Sequence, residues 1–297
     1  MMVAWLRGAG RAADLVGDRA ELWLPGAVAA FAYLGWLPLV LAVAPLPHTS
    51  DLIFLGTRLA SSAIFPLNVV LIAAAVAVVI LLACGAAALG EAAVERGLAD
   101  EPPREPLRDD TASIYVIVLV VAMPVAIALV ALAIGLVGIA PDEVTTPDIG
   151  GSLVARVLLA LSPYVVALAV VLLFAQALGA AAMRRATGLR RLRLGAALAA
   201  GMGDLLRRPA RRVGIALMTM VVDLLEVGLA VILLRTLWTP IGVDLAAGRL
   251  ENPTTVILLV AFVTIWLVTV LAGGALHAWG TAWWSLELAP TIEEGTA

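Results

Sequence analysis

Two carboxylic acids stand out because they interrupt an otherwise apolar stretch. Asp223 and Glu226 lie three residues apart between Val213 and Trp238, so a helix projects both carboxyl groups from one face. At about 1.5 Å per residue, Asp223 lies about 15 Å into a hydrocarbon core that is about 30 Å thick. Ionisable side chains at that depth usually face a partner or a water-filled cavity. The spacing predicts a proton, cation or substrate site; the competing interpretation is a buried acid pair that only hydrogen-bonds neighbouring helices.

The sequence offers few partners of opposite charge to this acid pair. Arg235 lies twelve residues further along the chain, about 120° around the same helix. His277 falls near the inner end of the last apolar stretch, about 15 Å away in depth, and approaches the acids only if Gly273–Gly274 breaks that helix. Neutral hydrogen-bonding side chains therefore complete the predicted site, namely Thr219, Tyr164 and Thr264.

Motifs of common enzymes are absent from the sequence. The chain has no lysine, so the phosphate-binding motif GxxxxGK[ST] of ATPases does not occur, and neither HExxH nor GxSxG is found. A single cysteine, Cys84, and two histidines do not make a cluster typical of a metal site. We therefore expect no enzyme activity, no cofactor and no metal. An intramembrane enzyme that acts on lipids has no set of residues to support it.

The composition places the acid pair in a membrane protein. Hydrophobic residues make up 63% of the 297 residues and charged residues 14%, whereas soluble domains have about 45–50% and about 25%. Long stretches without any charged side chain each exceed the roughly 18 residues that cross a bilayer. They are residues 22–50, 59–90, 111–141, 157–183 and 252–286. Soluble, fibrous and disordered classes are therefore excluded.

Six transmembrane helices account for these stretches, because a helix satisfies its own backbone hydrogen bonds in lipid. The predicted fold is all-α, a polytopic single membrane domain over residues 1–297, with spans one to four within 22–182 and spans five and six within 213–285. The spans are placed near 24–45, 64–90, 112–139, 155–182, 213–238 and 254–279. The segment from Glu91 to Asp110 is predicted to be an extended connector.

Arginine predicts the orientation of these spans. All 19 basic residues are arginine, and fifteen of them fall on one side of the predicted membrane. Because positive charge accumulates on the cytoplasmic side, both termini are expected there, with residues 286–297 as a cytoplasmic tail. Trp279, Trp283 and Trp284 lie at the predicted inner end of span six, where amphipathic rings commonly anchor at the interface.

Two segments are predicted to be interfacial amphipathic helices. In residues 1–21, charged side chains recur on one helical face at spacings of four, three and four. Residues 183–212 form a basic cytoplasmic segment with nine arginines and a single acid, Asp204. We expect it to bind anionic lipid or an acidic partner, and a solvated loop is the alternative. The candidate binding residues are Arg190, Arg191, Arg193, Arg207, Arg208, Arg211 and Arg212.

The layout of the chain resembles known membrane families. Arginine-rich stretches precede helix pairs, and the chain closes with Leu276-His277-Ala278-Trp279 and Ala282-Trp283-Trp284-Ser285. This pattern is similar to uncharacterised bacterial six-helix membrane families, including ones related to the membrane domain of glycerophosphodiester phosphodiesterases. The resemblance implies fold and compartment only. The catalytic barrel of those enzymes has no counterpart here, so no activity carries over.

These observations favour two functions. The first is a transport-class, permease-like subunit or carrier with an acidic midplane site. The second is a non-catalytic scaffold or accessory subunit that docks partners through its basic cytoplasmic face. Arginine without lysine, with abundant alanine, valine, leucine and glycine, indicates a bacterium with GC-rich DNA and hence its inner (cell) membrane. Besides the lipid bilayer, partners could be an ATPase, another membrane subunit or a second copy; a net charge of −3 gives no reason to expect nucleic acid.

Overall fold

The computed structural model describes residues 2–44, 58, 61–99, 106–145, 153–187, 192–249 and 251–294. The regular structure of these residues is helical, which confirms the predicted all-α class. A 3₁₀ turn covers Ala20–Leu22 and a π-helical segment covers Phe31–Gly35. The α-helices are α1 Met2–Asp18, α2 Trp23–Ala30, α3 Leu37–Val43, α4 Leu67–Leu98, α5 Leu107–Thr145, α6 Leu153–Thr187, α7 Leu194–Arg207, α8 Pro209–Ala246 and α9 Pro253–Glu294.

Five of the described helices, α4, α5, α6, α8 and α9, are long and apolar enough to cross a membrane. Nearly every side chain from Leu67 to Leu82 on α4 is exposed, as expected of an apolar helix surface that faces lipid. The protein is therefore a multi-pass membrane protein. The remaining predicted span, the first in the chain, depends on the segments Ala20–Gly35 and Leu37–Val43, which are long and apolar enough only as a pair and are bent by 49° at the break between them.

Proline contributes to the break between α2 and α3. Pro38 lies in the first turn of α3, where a missing N–H is tolerated but a helix from the preceding residues is interrupted. The π-helical segment Phe31–Gly35 fills the interval before it. The first predicted span is thus one bent element and not a single straight helix.

Several helices continue past their predicted ends. Helix α4 runs to Leu98 and helix α5 begins at Leu107, so the prediction of an extended connector from Glu91 to Asp110 is wrong for residues 91–98 and 107–110. Helix α9 runs to Glu294, fifteen residues beyond the predicted end of span six, and includes most of the predicted tail. The predicted spans follow the apolar length that crosses a bilayer, whereas a helix can continue past that length.

Contacts group the described chain into two compact units. The first unit comprises Met1–Thr111 and Val221–Glu287. The second unit comprises Ala112–Met220 and Leu288–Ala297.

Glycine contacts bring both α4 and α9 against α2 in the first unit. A Cβ atom at Gly274 on α9 would overlap backbone atoms of α2, and one at Gly26 on α2 would overlap the Gly274 carbonyl. A Cβ atom at Gly90 of α4 would likewise lie 2.6 Å from Pro25 O and 2.7 Å from Ala29 N. Such distances leave no room for a side chain, so glycine permits the close approach of both helices.

Helices α8 and α9 form an antiparallel hairpin in the first unit. Near its turn, Thr255 Oγ1 donates a hydrogen bond to Asp244 Oδ2 at 2.5 Å. Further along, the rings of Trp238 and Phe262 lie 5.3 Å apart. Residues closer to the N-terminus of α8 therefore face residues closer to the C-terminus of α9. A buried apolar cluster joins α3 to this hairpin and consists of Ala42, Leu234, Ile241 and Phe262.

Helix α1 packs against the C-terminal part of α9. Trp279 Nε1 donates a hydrogen bond to Ala9 O at 3.0 Å, and a Cβ atom at Gly8 would lie 3.2 Å from Trp283 Nε1. Trp283 and Trp284 are 1% and 3% exposed. The prediction that these two rings anchor at the membrane interface is therefore wrong, because they are packed inside the protein.

Candidate functional site

The predicted acid pair lies on one face of α8, where it is partly buried. Glu226 faces Gly273 of α9, since a Cβ atom at Gly273 would lie 3.6 Å from Glu226 Oε1. The glycine thus leaves space for the carboxyl group. Because Glu226 faces Gly273 in this antiparallel pair, Asp223 lies at about the level of His277, within range of an electrostatic interaction with that side chain and with Glu226. The two acids therefore belong to a larger set of ionisable side chains.

His277 joins this set to a third carboxyl group. Its Nε2 lies 2.9 Å from Glu91 Oε1, within hydrogen-bond distance, although the two residues are 186 positions apart in the chain. Glu91 is only 7% exposed, and its other oxygen accepts a hydrogen bond of 3.5 Å from Thr281 Oγ1. The pair connects α4 to α9.

Tyr33 brings the bent first element to the same place. Its ring centroid lies 5.8 Å from that of His277, and it interacts electrostatically with Glu91. Tyr33 belongs to the π-helical segment, and π-helical turns within α-helices frequently occur at functional sites. We call the set composed of Glu91, Asp223, Glu226 and His277, with Tyr33 and Thr281 beside them, the acid–histidine cluster.

The glycine contacts of α2 position this cluster. Glu91 directly follows Gly90, which packs against the backbone of α2. His277 lies three residues after Gly274, near the face of α9 that also packs against α2. Close approach of both helices to α2 brings the imidazole and the carboxyl group within hydrogen-bond distance.

Sequence reasoning missed Glu91 and placed His277 too far from the acids. No break at Gly273–Gly274 is needed, because α9 is continuous through both glycines. The hairpin register pairs Glu226 with Gly273, so His277 lies at about the level of Asp223. The signal was present in the sequence: the turn between residues 246 and 253 is short and fixes which residues of α8 and α9 face each other.

The three neutral residues of the predicted site lie in different places. Thr219 is one turn before Asp223 on α8, and its hydroxyl accepts a 3.0 Å hydrogen bond from Gln176 Nε2. Tyr164 lies in the second unit, where its ring packs beside Gly135. Thr264 is exposed and donates to Val260 O at 2.8 Å. It lies nine residues from the Gly273 level, about 13 Å along α9, so it is not part of the acid–histidine cluster.

The predicted basic segment is divided between exposed and buried arginines. Arg193, Arg207, Arg208 and Arg211 are exposed. Arg212 is 1% exposed and therefore does not contribute to a binding surface. Arg190 and Arg191 lie outside the described residues. We call the four exposed side chains the arginine surface.

An ion pair joins helix α7 to helix α6. Arg185 Nη2 lies 2.8 Å from Asp204 Oδ2, and Arg185 Nε donates to the same carboxylate oxygen at 3.0 Å. A Cβ atom at Gly201 would lie 3.0 Å from Ala182 N, so the two helices also approach closely. Asp204 is buried. The acid of the basic segment is thus neutralised within the protein and does not offset the charge of the arginine surface.

The acid–histidine cluster provides exchangeable protons and negative charge inside a helical bundle. Its carboxyl groups accept hydrogen bonds and attract cations, and imidazole binds and releases protons near neutral pH. Within the described residues, no three His, Cys, Asp or Glu side chains come together as a group that could hold a metal ion. No protein-family model, curated protein sequence or solved structure matches the chain significantly.

Proposed function

We propose that this membrane protein is a transport-class carrier or permease-like subunit whose site is the acid–histidine cluster. The observation that carries the proposal is the Glu91–His277 hydrogen bond between two membrane-spanning helices, together with the α8–α9 register that places the acid pair at the level of Gly273 and His277. Ionisable groups inside a membrane are costly, and they mark proton, ion or substrate pathways in membrane proteins. Apolar side chains at the same positions would hold the helices together without this cost.

The bent first element supports the same function. Tyr33 lies on the π-helical segment between α2 and α3 and contacts the His277 ring. In many transporters, interrupted helices line the substrate site near the middle of the membrane. We therefore interpret α2 and α3 as the first of six spans, with the interruption beside the site.

We also propose an orientation and two surface helices. With six spans, the arginine distribution favours cytoplasmic N- and C-termini. Helices α1 and α7 are then interfacial elements on the cytoplasmic side of a bacterial inner membrane. The resemblance to bacterial six-helix families agrees with this arrangement and remains a prediction.

Transport can be tested on the full chain in proteoliposomes. Amino acids, sugars, organic acids and organic cations are added singly to vesicles that contain a trapped pH-sensitive dye, and charge movement is recorded in parallel on a supported membrane. We expect at least one solute to give a signal in the wild type that is lost in Asp223→Asn. Asp244→Asn is the matched control, because this carboxyl group lies on the same helix near the hairpin turn. Equal signals in wild type and Asp223→Asn contradict the proposal.

The arginine surface favours a second function, that of a scaffold or accessory subunit. Its four exposed guanidinium groups are not offset by Asp204, which is paired with Arg185 inside the protein. A stable complex with an ATPase or another membrane subunit, lost when these arginines are changed but retained in Asp223→Asn, favours this function over transport.

A further inference from the structure

We propose that the Glu91–His277 pair is a reversible proton site, and that the proton is the ion coupled to substrate movement. The inference rests on the proposed transport function and adds to it the identity of the coupling ion and the residues that bind it. The pair is the part of the acid–histidine cluster in which a base and an acid share a hydrogen bond.

The geometry suits a proton. The 2.9 Å separation of His277 Nε2 and Glu91 Oε1 requires one hydrogen atom between them. Two partners suffice to hold a proton, whereas Na⁺ or Mg²⁺ needs about six oxygen ligands. Glu91 is nearly buried, with Thr281 on its second oxygen. The pair therefore has a fixed geometry and little direct contact with solvent.

Ionisable side chains surround the Glu91–His277 pair, so proton binding there changes their electrostatic environment. His277 is faced by Glu91 from α4, by Asp223 from α8 and by Tyr33 from the π-helical segment. Glu91 is faced by His277 and Thr281 from α9 and by Tyr33. Glu226 acts on Asp223 from the same helix. A change in the charge of His277 therefore affects Asp223, and a change at Asp223 affects Glu226.

Proton uptake changes the charge of the pair by one. A proton from water forms a new N–H bond on the neutral imidazole, and the pair with ionised Glu91 changes from one negative charge to none. The positively charged imidazolium then attracts the Asp223 carboxylate, whereas the neutral imidazole carries no charge to do so. Binding at the acid pair and protonation of His277 are therefore linked, and such linkage is reciprocal.

Proton binding can be measured without knowledge of the substrate. The sequence contains two histidines, so His48→Gln leaves His277 as the single imidazole of the full chain. The protein is labelled with ¹⁵N-histidine, placed in lipid nanodiscs and followed by NMR between pH 5 and pH 9. We expect one reversible transition, and about tenfold or more weaker proton binding in Glu91→Gln, since the carboxylate that stabilises the imidazolium is gone.

Two further variants test whether the transition depends on the acid–histidine cluster. Asp223→Asn should also weaken proton binding, because its charge acts on His277. Asp244→Asn, near the hairpin turn, should leave the transition unchanged. If Glu91→Gln does not fold, as judged by gel filtration, Asp223→Asn replaces it. A transition that is unchanged in both cluster variants, or the absence of any transition in the folded protein, overturns the proton site.

The ion gradient that drives uptake distinguishes this inference from the proposed transport function. The solute with the largest signal is offered to proteoliposomes under a pH gradient alone and under a Na⁺ gradient alone. Uptake driven by the pH gradient and abolished by Glu91→Gln supports the inference. Uptake driven by Na⁺ and unaffected by Glu91→Gln overturns the inference while transport stands. No signal with any solute overturns transport and, with it, the coupling role of the proton.

Discussion

At the scale of single residues, the acid–histidine cluster is an arrangement of charge. His277 is hydrogen-bonded to Glu91 and also interacts electrostatically with Asp223. A buried carboxylate without such a partner would be strongly unfavourable, and a buried pair is costly to break because one charge is left uncompensated. The members differ in their surroundings: Asp223 and Glu226 are partly buried on one helix, whereas Glu91 and His277 join two helices.

The first prediction concerns the acid pair. Asp223→Asn and Glu226→Gln should retain the fold, because both amides keep the size and hydrogen-bonding capacity of the acids, but should abolish transport. Asp223→Leu should insert more favourably, by about 2.5 kcal/mol or more, and remain inactive. Flux in proteoliposomes and a membrane-insertion assay measure the two effects. If both amide variants transport like the wild type, the pair is structural and the scaffold function takes precedence.

The second prediction concerns the hydrogen bond between Glu91 and His277. Glu91→Leu and His277→Leu should each destabilise the protein by about 1–3 kcal/mol, because each leaves a polar group without its partner. The double variant should cost less than the two single variants added together, with a coupling of about 0.5–2 kcal/mol. Reversible unfolding in mixed micelles gives the free energies. Strict additivity would show that the two side chains do not interact in the membrane.

At the scale of elements, α2 packs closely against its neighbours because glycines on α2, α4 and α9 have no side chains at the contacts. Gly26, Gly90 and Gly274 each occupy a place where a Cβ atom would meet the backbone of a neighbouring helix at less than van der Waals distance. Gly273, next in the chain to Gly274, is different: the nearest atoms to a Cβ atom there would be those of the Glu226 carboxyl group, at ordinary contact distance. Adjacent glycines thus have different roles, one in packing and one beside the site.

The third prediction uses this contrast. Gly274→Ala should force α2 and α9 apart and destabilise the first unit by about 1–3 kcal/mol or more, as overpacking does. Gly273→Ala should change stability by less than about 1 kcal/mol and affect transport only through its contact with Glu226. Thermal unfolding of the two variants in the same detergent makes the comparison. Equal losses of stability would contradict the assigned packing.

The sequence allowed the class of fold to be predicted, but not the details that form the site. Long uncharged stretches identify spanning helices because the bilayer imposes length and apolarity. A helix can continue past the end of its uncharged stretch, so Glu91 was assigned to a connector although it lies within α4. The spacing of Asp223 and Glu226 identified half of the cluster, since both lie on one helix. Glu91 and His277 meet only through the tertiary packing of α4 and α9, which no local pattern encodes.

At the scale of the whole molecule, the distribution of arginine predicts orientation. Fifteen of the 19 arginines lie on one side of a six-span arrangement. The fourth prediction is that reporter fusions at residues 100, 195 and 297 are cytoplasmic and those at 50, 146 and 246 are external. Labelling of an introduced cysteine at residue 195 by an impermeant external reagent would contradict this orientation.

The fifth prediction concerns anionic lipid at the arginine surface. Changing Arg193, Arg207, Arg208 and Arg211 to glutamine should weaken retention of phosphatidylglycerol, by about 1 kcal/mol per charge near an anionic membrane, and raised salt should have the same effect. Native mass spectrometry of the purified chain measures the retained lipid. Arg249→Gln is the control, since this exposed arginine lies at the turn between α8 and α9. Retention that is insensitive to the four changes and to salt would remove the lipid-binding role.

The packing of α2 against both α4 and α9 has a consequence for biosynthesis. The partners that close on α2 are synthesised far apart in time: Gly90 emerges early, and Gly274 belongs to the last helix. At roughly 5–20 residues per second, the ribosome needs about 10–40 s to go from one to the other. During that interval the face of α2 around Gly26 lacks its partner on α9. A chain that stops before α9 therefore exposes this face to the lipid, where a membrane protease or chaperone can distinguish it from the completed protein.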